Sequence, residues 1–259
     1  MGGKEKVVIL GGKGESTKII YHSIKNNFDV EKVIIEDEQS KIKFLKYRIN
    51  KLGIFTVLGQ LIFNVLIINL LKIFFNTRIE DLQKKFNFNK KEIPKNKIIM
   101  VSSVNADYTR NLIKNVESKI IIVSGTRIIG KKTLNASACK FINIHAGITP
   151  KYRGVHGAYW ALVNKDESHC GVTLHYVDKG VDTGVIIEQS LIKITNKDCF
   201  ITYPIIQLNS GIHLLKKSLN KIINDKQINT RISNNLPSSQ FYHPTVSTYL
   251  YNYVFLGVK

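Results

Sequence analysis

Residues 6–35 read KVVILGGKGESTKIIYHSIKNNFDVEKVII, and this stretch decides the fold that we expect. Lys6–Leu10 is a short β-branched run that predicts a strand, and a glycine-rich turn follows it at Gly11–Gly14. A helix is predicted over Ser16–Asn26 and a second strand over Glu31–Ile35. A strand, a helix and a strand in this order favour a parallel pair, so we expect an α/β fold with a mostly parallel sheet flanked by helices.

Apolar runs further along the chain extend this sheet. Strands are predicted at Lys97–Ser102, Lys119–Val123, Lys140–Ile144 and Gly171–Val177, and helices at Ala106–Asn115 and Pro204–Ile223. We therefore expect one domain over residues 1–225, with a helical insertion at about residues 40–96. Residues 226–259 form a short C-terminal extension that is first polar and then aromatic, and we expect it to pack on the core or on another subunit.

The chain is strongly basic. It contains 38 Lys and Arg but only 19 Asp and Glu, which gives a formal net charge of +19 at pH 7. A surface with such a field favours anionic partners, such as phosphorylated metabolites, carboxylates, nucleic acid or acidic lipid. The abundance of Lys, Ile and Asn is equally typical of A+T-rich coding, so composition alone also explains part of the charge.

The cysteines and the first residues bear on the compartment. Cys139, Cys170 and Cys199 are widely spaced, odd in number and form no C-x-x-C pair. This pattern predicts free thiols in a reducing environment, without a zinc site or a disulfide framework. The opening MGGKEKVVILGG lacks the long apolar region of a secretion signal. We therefore expect a cytoplasmic protein.

One segment departs from this pattern. Leu52–Leu71 contains no charged residue over 20 positions, which is about the length that a membrane-spanning helix needs. Polar residues interrupt it at a spacing that places them on one face of a helix: Thr56, Gln60, Asn64 and Asn69. An amphipathic helix therefore fits better than a span. We expect it to be buried against protein, within the fold or in a dimer interface; attachment to a membrane surface ranks second and a span last.

Polar residues with chemical potential are densest in Phe141–Gln189, which begins FINIHAGITPKYRG and ends VTLHYVDKGVDTGVIIEQ. Asn143 and His145 alternate along a predicted strand, so their side chains share one face and can converge on one atom. A second strand leads into a loop that carries Asp178 and Asp182. An amide, an imidazole and a carboxylate brought together at strand ends are typical of an acyl-transfer site, in which the carboxylate tunes the imidazole.

Each of these residues also has an ordinary structural explanation. A lone Asn or His on a strand is more often a satisfied polar residue than a catalytic one. Asp178 could cap a turn, and His175 in the second strand is better explained as a packed histidine than as a supporting residue. The ordered set, rather than any single member, favours a functional site.

The ordered set resembles the signature of the folate-dependent formyltransferases. The motifs that carry the resemblance are Asn143-x-His145, Pro150, Tyr152-Arg153-Gly154, Gly171-Val-Thr and Asp182-Thr-Gly184. The resemblance extends back to Val123–Ile129, weakens over residues 1–36, and is absent over residues 40–96 and 226–259. The spacing from Gly154 to Gly171 is one residue longer than is usual in the family. The family includes glycinamide ribonucleotide, methionyl-tRNA and nucleotide-sugar N-formyltransferases, and membership implies its Rossmann-like fold.

The resemblance implies an N-formyltransferase that moves a formyl group from 10-formyltetrahydrofolate to a primary amine, without a metal. Asn143, His145 and Asp182 would be the catalytic residues. Asn143 and a protonated His145 would donate hydrogen bonds to the developing oxyanion, while Asp182 would raise the pKa of the imidazole and orient it. The family holds the pterin ring between two loops, which implies folate contacts at Arg127, Ile128, Ile129, Val177, Asp178, Gly180 and Val181.

The acceptor amine is less determined. The Gly12–Ser16 loop opens a helix whose N-terminus could bind phosphate, although many turns between a strand and a helix also need glycine. Candidate acceptor contacts are Gly12, Gly14, Tyr152, Arg153, Tyr159 and Trp160, of which the aromatic residues could equally belong to the core. The chain is longer than the ribonucleotide enzymes, and residues 226–259 are too few for the C-terminal domain of the tRNA enzymes. We therefore expect a nucleotide-linked amino sugar, with the other two acceptors as alternatives.

Two further expectations concern partners. We expect a homodimer that acts on a small-molecule amine, with membrane-surface contact through Leu52–Leu71 left open. Nucleic acid is not expected, because the chain lacks the interleaved basic and aromatic residues of single-strand binders. The non-enzymatic alternative is a basic RNA-binding or membrane-surface-binding protein on a formyltransferase scaffold.

Overall fold

A seven-stranded sheet forms the centre of the fold. The computed structural model describes residues 4–223, Thr230 and 237–259. Its strands are β1 (Lys6–Gly11), β2 (Asp29–Glu36), β3 (Ile98–Val101), β4 (Ile120–Ser124), β5 (Lys140–His145), β6 (Tyr152–Gly154), β7 (Gly171–Tyr176), β8 (Ile186–Leu191) and β9 (Ser239–Phe241). The order in the sheet is β3-β2-β1-β4-β5-β7-β8, and β6 pairs with β9 separately.

Most of this sheet is parallel. β3, β2, β1, β4 and β5 run in one direction, whereas β7 is antiparallel to β5 and β8 is antiparallel to β7. β1 and β4 are buried along nearly their whole length, because helices cover both faces, and this explains their continuous Ile, Val and Leu runs. The expected mostly parallel sheet is confirmed. The carboxyl ends of its parallel strands meet at one edge, where ligands bind in open α/β sheets.

Helices cover both faces of the sheet. They include α1 (Glu15–Ile24), α2 (Lys41–Leu52), α3 (Ile54–Ile62), α4 (Ile68–Phe74), α5 (Asn76–Lys85), α6 (Asp107–Lys114), α7 (Lys131–Leu134), α8 (Gly157–Val163), α9 (Tyr203–Ile223) and α10 (Val246–Leu256). Val7 and Ile9 of β1 share a core with α1 and α9, whereas the alternate residues Val8 and Leu10 share a core with α6 and α7. This division follows from the two-residue repeat of a strand.

The C-terminal part differs from the expected extension. It forms α10, whose first turn is capped by Thr245: the Thr245 side chain accepts a hydrogen bond from the backbone N–H of Thr248 at 3.1 Å. Tyr249 of α10 packs in a third core cluster with Phe63 and Phe200. The extension therefore packs on the core as expected, but as a helix. The expected domain boundary between residues 225 and 226 lies outside the described residues.

Residues 40–96 form the expected helical insertion, which contains α2, α3, α4 and α5. A π-helical segment at Phe63–Ile67 joins α3 and α4 into one helix over Ile54–Phe74, which we call the apolar helix. Within the described parts of the chain it is the one helix that is long and apolar enough to span a membrane, and only 22% of its most apolar stretch is buried.

Most of the apolar side chains of the apolar helix face outward. Gln60 is buried and Thr56 and Asn64 are partly buried, whereas Phe55 is 87% exposed and Phe74 is 77% exposed. The polar face is held by protein partners: Gln60 Nε2 donates to the backbone carbonyl of His243 at 2.6 Å. The expectation that Leu52–Leu71 is buried within the fold is therefore wrong for most of the segment, because most of its apolar side chains are exposed and only Val57, Phe63 and Leu71 among them are buried. Burial in a dimer interface stays a prediction.

Candidate active site

The candidate site is built on the antiparallel pair β5 and β7. Asn143 and His145 lie two residues apart on β5, so they share a face. On β7, His175 is the register partner of Asn143. The Asn143 Nδ2 and His175 Nε2 atoms lie 3.3 Å apart, and both imidazoles are almost fully buried. The sheet thus fixes an amide and two imidazoles on one face.

Asp182 enters this cluster from the loop after β7. Its carboxylate lies between the two imidazoles: Oδ2 is 3.2 Å from His145 Nδ1, and Oδ1 is 3.6 Å from His175 Nε2. The backbone N–H of Gly154 donates to the same Oδ2 at 3.0 Å. On its far side, His145 Nε2 contacts the backbone carbonyl of Tyr152 at 2.7 Å. Both nitrogens of His145 therefore face acceptor oxygens.

The loop that carries Asp182 is held by its own hydrogen bonds. Asp178 Oδ1 accepts from the Gly180 N–H at 3.0 Å and from the Thr183 hydroxyl at 2.7 Å. Arg153 Nη1 donates to the backbone carbonyl of Val181 at 3.0 Å. Asp182 itself has a φ of 52°, a left-handed conformation that is uncommon for a non-glycine residue. Asp178 therefore caps the loop, and the loop aims Asp182 at the imidazoles.

Burial and charge act against each other in this pair. Burial lowers the pKa of the His145 imidazole, and the Asp182 carboxylate and the Tyr152 carbonyl oppose that shift without cancelling it. Burial also acts to raise the pKa of Asp182, but hydrogen bonding to His175, the charge of His145 and the Gly154 N–H hold it below its ordinary value. Asp182 thus raises the pKa of His145 as expected, but burial outweighs the carboxylate, so the net shift is downward. Asp182 is ionised at neutral pH.

A cavity of about 380 Å³ opens beside this cluster. All the polar residues of the cluster line it: Asn143, His145, His175 and Asp182. Every residue expected to contact folate lines it as well: Arg127, Ile128, Ile129, Val177, Asp178, Gly180 and Val181. The two predicted groups, which lie far apart in the chain, therefore meet at one cavity.

A second cavity, of about 790 Å³, adjoins the first. The two share the wall formed by residues 125–128. Gly12 and Gly14 line the larger cavity, as do Phe44 and Tyr47 of α2. A side chain could not replace the hydrogen at Gly12, since a Cβ there would lie 2.5 Å from the Gly125 carbonyl oxygen. The glycine thus allows β1 and β4 to end close together between the cavities.

Four of the expected acceptor contacts lie elsewhere. Tyr152 and Tyr159 are each 1% exposed and belong to the core, and Trp160 donates its Nε1–H to the Tyr242 carbonyl at 3.0 Å. Arg153 lines neither cavity and instead bonds Val181 and Ser238. These positions give no support to a role in acceptor binding, which stays a prediction for all four residues. The rings follow a Pro-containing turn into a short helix that packs them inward.

Sequence reasoning undervalued two residues at this edge. His175 was favoured as a packed strand residue, and its register opposite Asn143 shows only once β5 and β7 pair. Glu36 ends β2 and is buried, and it accepts hydrogen bonds from the backbone N–H groups of Val104 and Arg127 at 2.7 and 2.9 Å. The Arg127 guanidinium also lies 3.1 Å from Glu36. Glu36 therefore fixes the loop that forms the wall between the two cavities, and a lone acidic residue at the end of a strand was the available signal.

Comparison with known proteins agrees with this geometry. Residues 77–203 match the family model described as formyl transferase. The chain is 34% identical over 127 residues to methionyl-tRNA formyltransferase of Halothermothrix orenii. That match covers 49% of this chain and 40% of that protein, so the chain spans well under two thirds of the relative's length.

Two solved structures share the fold at low sequence identity. An N-formyltransferase from Helicobacter canadensis, in complex with folinic acid and dTDP-3-aminofucose, is 20% identical with a TM-score of 0.56; the match covers 92% of this chain and 70% of that chain. Phosphoribosylglycinamide formyltransferase from Anaplasma phagocytophilum is 14% identical with a TM-score of 0.56, covering 93% and 100%. These identities show the fold alone. Residues 77–203, just under half of the chain, are thus similar to the formyl transferase domain, and the fold is shared with solved formyltransferases.

Proposed function

We propose that this protein is an N-formyltransferase that transfers a formyl group from 10-formyltetrahydrofolate to a primary amine. The observation that carries the proposal is the meeting of Asn143, His145 and Asp182 at one cavity. A hydrogen-bond donor, an imidazole and an ionised carboxylate at one point supply what the transfer of an acyl group needs. Asn143, His145 and Asp182 are proposed as the catalytic residues.

The smaller cavity fits the proposed donor. Ile128, Ile129, Val177 and Val181 give it apolar walls, and the polar cluster lies in the same cavity. Apolar walls beside a few convergent polar groups are what a flat heteroaromatic ring requires. When bound, the folate would supply the electrophilic formyl carbon, and the seven wall residues named above would hold the ring. Titration with the unreactive 5-formyl analogue should give saturable binding, and no binding at millimolar ligand contradicts the donor assignment.

The reaction forms a C–N bond to the acceptor, breaks the C–N bond to the folate nitrogen, and moves one proton from the first nitrogen to the second. Asn143 donates its amide N–H to the oxygen on which negative charge develops. Burial lowers the pKa of His145 and so disfavours the doubly protonated ring. The two oxygens that face its nitrogens favour that form. Negative charge that develops beside the ring therefore favours proton uptake by His145. Asp182 orients the ring and accepts hydrogen bonds throughout. His175 positions Asp182 from the other side.

A nucleotide-linked amino sugar is the acceptor that we propose. The larger cavity exceeds what a small amine needs, and it reaches the Gly12–Ser16 loop at the N-terminus of α1, where backbone N–H groups favour phosphate. Phe44 and Tyr47 take the place of the aromatic contacts first assigned to Tyr152 and Tyr159. The catalytic cluster itself carries no information on the acceptor, since it suits any well-placed primary amine.

A specific observation favours one other acceptor. Relatives at 31–39% identity are methionyl-tRNA formyltransferases, and a net charge of +19 suits a polyanion such as tRNA.

A single competition assay tests both acceptors. The formyl donor is offered with a nucleotide-linked 4-amino-4,6-dideoxyhexose, glycinamide ribonucleotide and methionyl-tRNA, and the products are identified by mass spectrometry. We expect the sugar to gain one CO unit first. Preferential formylation of either other amine overturns the sugar acceptor, and salt-sensitive RNA binding without any formylation overturns the enzyme.

A further inference from the structure

Three neighbouring helices expose an unusual concentration of large apolar side chains. α2 and α10 both pack against the apolar helix. The exposed apolar residues of the three helices, which we call the apolar surface, are Ile42, Phe44, Tyr47, Ile54, Phe55, Leu58, Leu61, Ile62, Val65, Leu66, Leu70, Ile73, Phe74, Leu250, Tyr251, Tyr253, Val254 and Phe255. A patch of this size marks an interaction site rather than ordinary surface.

Both the apolar helix and α10 expose most of their apolar side chains and bury a polar one. In the apolar helix, Gln60 is buried while Phe55 and Phe74 are exposed, and in α10 Asn252 is buried while Phe255 is 71% exposed. Asn252 Nδ2 donates to the Tyr159 hydroxyl at 2.9 Å. Each helix therefore attaches to the protein through a narrow face that combines a polar residue with a few apolar ones, such as Phe63 and Tyr249, and leaves most of its apolar side chains outside. The apolar helix and α10 contain one charged residue between them, Lys72.

Basic residues border this surface. α2 carries five of them and no acidic residue: Lys41, Lys43, Lys46, Arg48 and Lys51. Lys72 and the pair Lys84 and Lys85 follow at the other end of the insertion. Apolar and aromatic side chains next to a basic helix are the features of a segment that lies in the interface of an anionic bilayer. Long Lys side chains can keep their charge at the headgroups while the apolar residues enter the acyl region.

We propose that the apolar surface docks this protein on the surface of an anionic lipid bilayer. A second copy of the chain is a poorer occupant, because each copy carries a net charge of +19 and the α2 lysines would border the interface. A spanning helix is excluded by its attachment: Phe63 is fully buried, with its ring 5.0 Å from that of Phe200, and leaving the fold would place Gln60 and Asn64 in lipid. The helix thus lies flat along about 30 Å of surface.

Sedimentation with vesicles tests this with the full chain. We expect binding to vesicles of phosphatidylcholine with phosphatidylglycerol, weaker binding to phosphatidylcholine alone, and release by salt. The triple variant Leu66→Gln, Ile73→Gln, Phe74→Gln should bind at least about tenfold more weakly. A matched control replaces three exposed apolar residues elsewhere, Met100→Gln, Tyr108→Gln and Leu191→Gln, and should bind like the wild type.

Two further measurements keep the outcomes distinct. Thermal unfolding of the triple variant should match the wild type, because the replaced side chains are exposed. A second triple variant, Lys41→Gln, Lys43→Gln, Lys46→Gln, should weaken binding to anionic vesicles but not to vesicles of phosphatidylcholine alone. Absence of vesicle binding by the wild type overturns the proposal. Sedimentation equilibrium then shows whether a dimer that the triple variant dissociates occupies the surface instead. Formyl transfer does not enter this test, so its outcome is independent of the proposed function.

Discussion

Asp182 is a single carboxylate that two imidazoles share. If His145 and Asp182 act as one unit, removing either should remove most of what both supply. We expect Asp182→Asn and His145→Ala each to lower kcat by roughly 10²–10³-fold, and the double variant to fall far short of the product of the two effects. Steady-state kinetics on folded protein, checked by circular dichroism, measure this. Effects that simply multiply contradict the coupling.

His175 offers a second test at the same scale, because it contacts Asp182 and Asn143 rather than the expected position of substrate. We expect His175→Leu to lower kcat about tenfold with little change in KM, since only the orientation of Asp182 is disturbed. His175→Gln should restore part of kcat, because the Gln side chain keeps a polar group beside Asn143 and Asp182. His213→Leu, at an exposed position of α9, is the control. Equal kinetics for the Leu and Gln variants would show that His175 only fills space.

The predictability of the secondary structure depended on where each element buries its apolar residues. β1 and β4 were predicted because both faces of a central parallel strand are covered, which leaves a continuous apolar run in the sequence. α10 was not, since its exposed face is aromatic and its buried residues include Asn252, so its sequence lacks the usual helical pattern. Most of the apolar side chains of Leu52–Leu71 likewise face outward, and for this reason the sequence pattern wrongly predicted that the segment is buried within the fold. Sequence pattern reports amphipathicity but not which face meets the protein.

The site shows a similar division. The ordered motif predicted that Asn143, His145 and Asp182 lie together, and in the structure all three line one cavity. Tyr159 lies in the core instead of at a cavity, and sequence does not show this, because the pattern of an aromatic residue after a turn is the same whether it faces a ligand or the core. The role of His175 required the β5–β7 register, which no local pattern specifies. Contacts across strands are therefore the part of this site that sequence reasoning cannot supply alone.

The start of α8 and the segment before α10 are joined by two histidines. His156 Nε2 lies 3.1 Å from His243 Nδ1, and the His156 ring packs on Phe200 with centroids 4.2 Å apart. Burial lowers the pKa of His156 to about 3, helped by His243, and lowers the pKa of His243 to about 4, helped by Arg48. Both are thus uncharged in the folded protein at neutral pH, whereas an unfolded chain protonates them near pH 6.5.

This contact should make the protein sensitive to acid. Below pH 6.5 the unfolded chain binds two protons that the folded chain does not, so the stability present above pH 6.5 is lost as the pH falls towards 4. Each group contributes a slope of about 1.4 kcal/mol per pH unit in that window. Denaturant unfolding from pH 7 to 4.5 measures it. We expect His243→Gln to flatten the slope by about one proton, and His213→Gln to leave it unchanged; a full slope in His243→Gln contradicts the assignment.

At the scale of the whole molecule, one helix connects the two proposed activities. α2 forms one edge of the apolar surface, and its Phe44 and Tyr47 also line the larger cavity. None of its residues is fully buried, so little packing holds it in place. The proposed catalytic cluster lines the other cavity, beyond the wall at residues 125–128. A bilayer that holds α2 would therefore act on the acceptor side and leave the chemistry unchanged.

This arrangement predicts a particular kinetic effect of lipid. Docking on the bilayer should order α2 before the acceptor binds. The free energy of acceptor binding is then no longer reduced by the entropy lost in ordering the α2 side of the larger cavity. With the acceptor that the competition assay identifies, anionic vesicles should lower its KM several-fold, by the logic of preorganisation, and leave kcat and the KM for the donor unchanged. The triple variant Leu66→Gln, Ile73→Gln, Phe74→Gln should show the higher KM with and without vesicles, because its cavity residues are intact but it cannot dock. A change in kcat alone would contradict the proposed link between membrane docking and acceptor binding. An equal lowering of the acceptor KM by vesicles in the triple variant would contradict it as well.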